Sequence, residues 1–294
     1  MNTTLQYQVG LWPYRVIFSE GGVNDEQLLP SSRPFAVPLD ETPALFELTV
    51  DDTFRPQGES REVGQFDCGG NNHGVYLRAD GGYDIRVADF HGRQCCIMSA
   101  NADFSRGTVA LNGNYEMRTF GLNNALMMMY AFASADKDTM LMHASVIAKD
   151  GYGYLFLGVS GTGKSTHTSN WLRYIDGTEL MNDDNPVVRC IDGVPTVFGS
   201  PWSGKTPCYK NVQAPIGAFV QLKQAPHNLI RRQSVVESFA SLLPSCSVMK
   251  WDERVYRGIC TGVTHVMERV STYLLENLPD EAAVRLSYNT IHVS

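Results

Sequence analysis

Residues 153–172 read GYLFLGVSGTGKSTHTSNWL. An apolar run, a glycine-rich turn carrying one lysine, and a polar run with helical character follow one another without interruption. Gly158-Val-Ser-Gly-Thr-Gly163-Lys164-Ser165 satisfies the pattern GxxxxGK[ST], with YLFLG entering as a strand and STHTSNWLRYI continuing as a helix. Glycines in such a turn let backbone N–H groups point inward onto phosphate oxygens, and the start of the helix adds the positive end of its dipole. Gly158, Ser160, Gly161, Thr162, Gly163, Lys164, Ser165 and Thr166 are therefore the expected nucleotide-binding residues, with Lys164 reaching the β and γ phosphates and the Ser165 hydroxyl ligating Mg²⁺.

Phosphate loops serve motors, switches, transporters and kinases, so the flanks decide which. Upstream, LMHASVIA and YGYLFLG are apolar strands joined by Lys-Asp-Gly, a hairpin signature. Downstream, one helix ends near Asp176-Gly177, TELMNDD follows, and PVVRC and VPTVFG form a second hairpin across Ile-Asp-Gly. Motors and small GTPases alternate strands and helices around a mainly parallel sheet. Helices are scarce between 140 and 225 here, which predicts a mixed α/β (α+β) fold with a largely antiparallel sheet around the loop.

Residues 1–120 read as a β-rich region of short apolar or alternating runs, its clearest hairpin being GVYLRADGGYDIRV. From Gly121 the period changes: Leu122, Leu126, Met129 and Phe132 or Ala133 fall on one face of a helix, with Met127–Met129 filling gaps in a core. The second domain is taken as 121–294. At 294 residues with 43% hydrophobic and 19% charged residues the chain is globular, and a net charge of −7 argues against nonspecific binding to nucleic acid or anionic lipid. The amino terminus lacks a basic-then-apolar signal and no window approaches a membrane span, so a cytoplasmic location is expected. Seven cysteines, at 68, 95, 96, 190, 208, 246 and 260, show no CxxC spacing and read as incidental thiols in a reducing compartment.

MHASV, GVSGTGKST and NDD, in that order and spacing, resemble the HPr kinase/phosphorylase catalytic domain and the related phosphoenolpyruvate carboxykinases, over about Leu122 to Leu278. The resemblance implies ATP and Mg²⁺ as cofactors and phosphoryl transfer to a hydroxyl of a small molecule or a protein serine. It implies Asp183 as general base and Asp184 as metal ligand, the two being exchangeable. It also points to His143 as a donor to the transferring group, where the family commonly has Gly next and this chain has Ala144. The family also runs phosphorolysis, and its protein-binding segment has no recognisable match here. A carboxykinase proper is a far longer chain.

Beyond these motifs, Pro201-Trp-Ser-Gly-Lys205 offers a lysine beside a tryptophan able to stack on a base or substrate ring, and Arg231 and Arg232 are able to supply transition-state charge. A solvated basic turn is the commoner meaning of each. His167 is read as a surface or supporting residue. VVESFASLL and DERVYRGICTGVTHVMERV predict two helices, TYLLENL a strand, and the terminus a short helix. The chief reading is a kinase; the alternatives are a nucleotide-binding regulatory module without turnover and, less favoured by length, a carboxykinase. Acceptor, base preference and the existence of a homo-oligomer are left open.

Overall fold

A computed structural model describes residues 2–67, 72–204 and 206–293 and divides the chain into two compact units. The first comprises Met1–Ser134 with Met249–Asp252. Its strands are β1 (Thr3–Val9), β2 (Trp12–Phe18), β3 (Ala36–Val37), β4 (Glu47–Val50), β5 (Ser60–Asp67), β6 (Asn72–Arg78), β7 (Tyr83–Ala88), β8 (Gln94–Ala100) and β9 (Arg106–Leu111). They form one sheet in the order β3-β1-β2-β4-β9-β8-β7-β6-β5, parallel only where β4 meets β2 and β9. The Ala-Asp-Gly-Gly turn closes β6 onto β7 as expected, with Arg78 N–H donating to Gly82 O at 2.8 Å.

Helix α1 (Tyr115–Ala133) covers β8 and β9 of this sheet, burying Leu122, Leu126, Met128, Met129 and Tyr130. It begins six residues before Gly121, because the Asn114 side chain accepts from Met117 N and caps its first turn. A boundary between 120 and 121 therefore falls inside a helix. The helix belongs to the first unit because its apolar face completes that sheet's core. A later segment returns to the same core: Trp251 lies against Phe66 with ring centroids 5.5 Å apart, and Asp252 accepts from Tyr83 OH at 2.9 Å.

The second unit, Ala135–Val248 with Glu253–Ser294, is a mixed sheet with four α-helices among the described residues. Its elements are β10 (Thr139–Leu141), β11 (Ala144–Lys149), β12 (Tyr152–Leu157), α2 (Lys164–Tyr174), β13 (Thr178–Asp184), β14 (Val187–Ile191) and β15 (Val194–Phe198). These are followed by β16 (Gln213–Gln224), β17 (Leu229–Arg232), α3 (Val235–Leu242), α4 (Glu253–Met267), β18 (Thr272–Asn277) and α5 (Glu281–Ile291). The strand order is β10-β14-β15-β16-β12-β11-β13, with β18 also on β16 and β17 on β18; only β12/β16 and β16/β18 are parallel. Both expected hairpins form. Each turns on an aspartate and a glycine at positive φ (Asp150 50° and Gly151 82°; Asp192 49° and Gly193 80°), the pair that a two-residue turn matching strand twist requires.

The core around β12 buries Ile147, Tyr154, Phe156, Trp171, Val220 and Leu275. His167 sits in this core, not on the surface, because it shares the inner face of α2 with Trp171 one turn on. Trp171 Nε1 donates to His167 Nε2 at 3.1 Å and to Ser287 Oγ at 3.0 Å. Burial holds the imidazole neutral and pushes its pKa from 6.5 down to about 4. The unfolded chain takes up this proton below pH 6.5 while the folded one resists until about 4, so the stability contribution is full above 6.5 and is lost as pH falls through that window. By pH 4.5 the loss reaches about 2–3 kcal/mol. In His167→Gln, which keeps an acceptor for Trp171, the urea midpoint is expected to fall less between pH 7 and 4.5 than in wild type; equal slopes refute the assignment.

Among the described residues no helix is long and apolar enough to cross a membrane. Six cysteines are free, with Cys95, Cys96, Cys208 and Cys246 buried, and Cys68 lies outside the described residues.

Candidate functional site

Strand β12 ends at Leu157 and the chain turns through Gly158, Gly161 and Gly163 at φ of 150°, 85° and 99° before α2 begins at Lys164. Side chains with a Cβ rarely adopt these angles, and at Gly158 a Cβ would also run into Thr162 Oγ1. Thr162 closes the turn from within: its N–H and its hydroxyl both donate to Val159 O, at 3.2 and 2.7 Å. The first helical bond of α2 runs from His167 N to Gly163 O, and no side chain caps the helix. The N–H groups of residues 164–166 therefore stand at a helix start without intrahelical partners, a disposition that suits an anion. Ser160, Ser165 and Thr166 are exposed around it, and Gln224 Nε2 steadies the turn by donating to Gly161 O at 3.2 Å.

Five side chains from three segments converge on this turn. Lys164 Nζ donates to Gly158 O at 2.7 Å and meets His143 Nε2 at 2.8 Å. His143 Nδ1 lies 2.7 Å from Asp184 Oδ1. An ammonium has only protons to give, so Nε2 accepts from Lys164 and the ring proton sits on Nδ1, donated to Asp184. Ser165 Oγ donates to Asp183 Oδ1 at 3.2 Å. Burial pulls the Lys164 pKa below the usual lysine range, against the opposing pull of Asp184 and Asp183.

The strand pairing explains the division. β13 runs antiparallel to β11 with Ser145 opposite Asp183 and Ala144 opposite Asp184. Cross-strand partners share a face: Ser145 bonds Thr168 of α2 at 3.1 Å, and Asp183 turns to Ser165 at the start of the same helix. Asp183 is buried and Asp184 half-buried. Ser165 thus contacts Asp183, while Asp184 contacts His143. LMHASVIA is not one strand and His143 does not open the second part: β10 pairs with β14 and β11 with β12 and β13, so His143 lies at the change of partners, its N–H donating to Ser245 O at 2.6 Å.

Other expected residues stand differently. Trp202 is buried at 2% exposure, so its ring is not open to a base or substrate. Arg231 lies on β17 and gives its guanidinium to Glu237 at 2.7 and 3.1 Å, a carboxylate that also completes the capping box of α3 with Ser234. Arg232 is exposed on the same strand, and Lys205 lies outside the described residues. Three residues not singled out in the sequence join the site: Asn182, Asn185 and Ser200, which bind the end of β13 to the segment after β15. Polar residues at a strand end read simply as a turn, and the asparagine beside the acid pair was the one available signal.

Among the described residues no group of three or more His, Cys, Asp or Glu side chains forms a metal-binding cluster. Ser165 Oγ and the Asp183 carboxylate do supply two hard oxygen donors on one face, the partial set suited to Mg²⁺, which keeps waters and substrate phosphates for its remaining positions.

No family model matches the chain, and no curated protein sequence matches it. Among solved structures, the chain is similar to the Hpr(Ser) kinase/phosphatase from Coxiella burnetii at 15% identity, over 51% of this chain and 97% of that one, with a TM-score of 0.29. A likeness of that size does not establish a shared fold.

Proposed function

We propose that the chain is an ATP- and Mg²⁺-dependent phosphotransferase that moves the γ-phosphoryl group to a hydroxyl of a small molecule or a protein serine. The observation that carries this reading is the line Asp184, His143, Lys164, in which one imidazole joins the carboxylate at 2.7 Å to the ammonium at 2.8 Å, directly behind the glycine-rich turn. Phosphoryl transfer asks for a positioned donor, neutralised charge and an acceptor for the hydroxyl proton. The turn and the start of α2 bind the phosphates, and Lys164 leaves Gly158 O and His143 for the β and γ oxygens. His143 Nε2 then has a free lone pair aimed at the site, with Nδ1–H still held by Asp184, so the imidazole takes the proton of the attacking hydroxyl. The new bond joins that oxygen to the γ phosphorus as the bond to the bridging oxygen breaks, leaving ADP. Ser165 and Asp183 would hold Mg²⁺, which supplies charge neutralisation on the phosphates when bound. Asp183 is therefore assigned to the metal and Asp184 to proton transfer.

The test is incubation of the purified protein with γ-labelled ATP, Mg²⁺ and a panel of hydroxyl compounds and serine peptides. Label appearing in one acceptor in step with ADP is the expected result. Tight ATP binding with no turnover on any acceptor instead gives a nucleotide-responsive regulatory module.

A further inference from the structure

The end of β13 is held by a buried amide that touches nothing reactive itself. Asn182 is fully buried; its Oδ1 accepts from Asp184 N at 3.1 Å and its Nδ2 donates to Ser200 Oγ at 3.2 Å. Ser200, also fully buried, passes its own proton to Asn185 O at 2.5 Å and accepts from Trp202 N at 3.2 Å. Two further backbone bonds, Asn185 N to Trp202 O at 3.2 Å and Gly204 N to Asp183 O at 2.6 Å, complete the lacing of 182–185 to 200–204. A side-chain oxygen accepting from the N–H two residues on bends the chain into an Asx turn, and that bend sets the direction in which Asp184 leaves the strand. Asp184 then spends one oxygen on His143 Nδ1 and the other on Asn185 Nδ2, at 2.7 and 2.9 Å.

We infer that Asn182 and Ser200 are positioning residues of the transfer reaction: they fix the Asp184 carboxylate so that it holds the proton on His143 Nδ1. The inference rests on the phosphotransferase reading for its kinetic consequence but not for its structural one. An amide suits position 182, which accepts from a backbone N–H on one end and donates to a hydroxyl from the other. Aspartate offers no donor and brings a buried charge, and alanine leaves the Asp184 N–H without its acceptor. Serine at 200 is required as acceptor for two N–H groups and donor to one carbonyl. The side chains of Asn182 and Ser200 themselves bond only to each other and to residues 184, 185 and 202, and to none of 158–166, so nucleotide affinity is expected to change little when either is removed.

The experiment compares wild type, Asn182→Ala and Ser200→Ala, the last removing a single oxygen so that a folded variant is at hand if Asn182→Ala does not fold. In histidine-¹⁵N-labelled protein, with the His143 signal assigned by its absence in His143→Gln, the wild type is expected to show the Nδ1–H tautomer and both variants a shift toward Nε2–H. In the transfer assay kcat is expected to fall about 10- to 100-fold, the cost of a misplaced catalytic group, with KM for ATP held within about 3-fold. Folded variants that retain the wild-type tautomer overturn the inference, whether or not kcat falls, because any loss then arises elsewhere. If the wild type transfers no phosphoryl group, the phosphotransferase reading fails separately, and the tautomer alone decides the role of Asn182 and Ser200.

Discussion

Lys164→Ala is expected to lower kcat/KM for ATP by about 10²–10³-fold, the scale set by removing one donor aimed at developing phosphate charge. The ammonium is half-buried and satisfied in this state by Gly158 O and His143 Nε2. Its desolvation, visible in the lowered pKa, is already in place before nucleotide arrives, and phosphate oxygens offer stronger partners than a carbonyl and a neutral imidazole. The fold should survive, because Lys164 is a half-buried residue at the head of α2 and takes no part in the apolar core. The measurement is nucleotide affinity and turnover alongside the thermal midpoint. Unchanged affinity and turnover in a folded variant removes Lys164 from phosphate binding and the function with it.

Asp184→Asn is expected to cost about 10²–10⁴ in kcat, the range for a positioned acid–base group, with ATP affinity little changed. Asparagine is nearly the same size but neutral, and its amide can rotate to present NH₂ toward His143. The ring would then accept on Nδ1 and carry its proton on Nε2, the wrong tautomer both for receiving the Lys164 hydrogen bond and for taking a proton from a hydroxyl. Asp183→Asn should behave differently: its partner is Ser165, so its loss should be relieved in part by raised Mg²⁺ concentration. If Asp183→Asn is insensitive to Mg²⁺ and Asp184→Asn is rescued by it, the roles assigned to the two acids are reversed.

Much of the second unit was legible because its signals are local. Lys-Asp-Gly and Ile-Asp-Gly dictate hairpins through the φ angles they permit, and the glycine spacing between YLFLG and STHTSNWL dictates the turn. Ser234 three residues before Glu237 marks the start of α3 in the same local way. The early turns of α1 were not legible: Tyr115 and Glu116 are exposed and 117–120 only half-buried, so the apolar period is visible only from Gly121 onward, while the capping Asn114 lies before it.

The site divides along the same line. Residue type and spacing determined by themselves that a glycine-rich turn precedes a helix, that a lysine opens that helix, and that two carboxylates end a later strand on opposite faces. Which carboxylate meets the helix depends on the register of β13 against β11, a pairing across some forty residues that periodicity leaves open by one position. The burial of Trp202 and His167 and the lacing of Asn182 to Ser200 likewise come from packing between separate segments, and the commitment of Arg231 to Glu237, six residues on, from the way the chain turns from β17 into α3. A sequence records what each residue can bond; only the tertiary structure chooses the partner, because hydrogen bonds and burial are settled by distance in space.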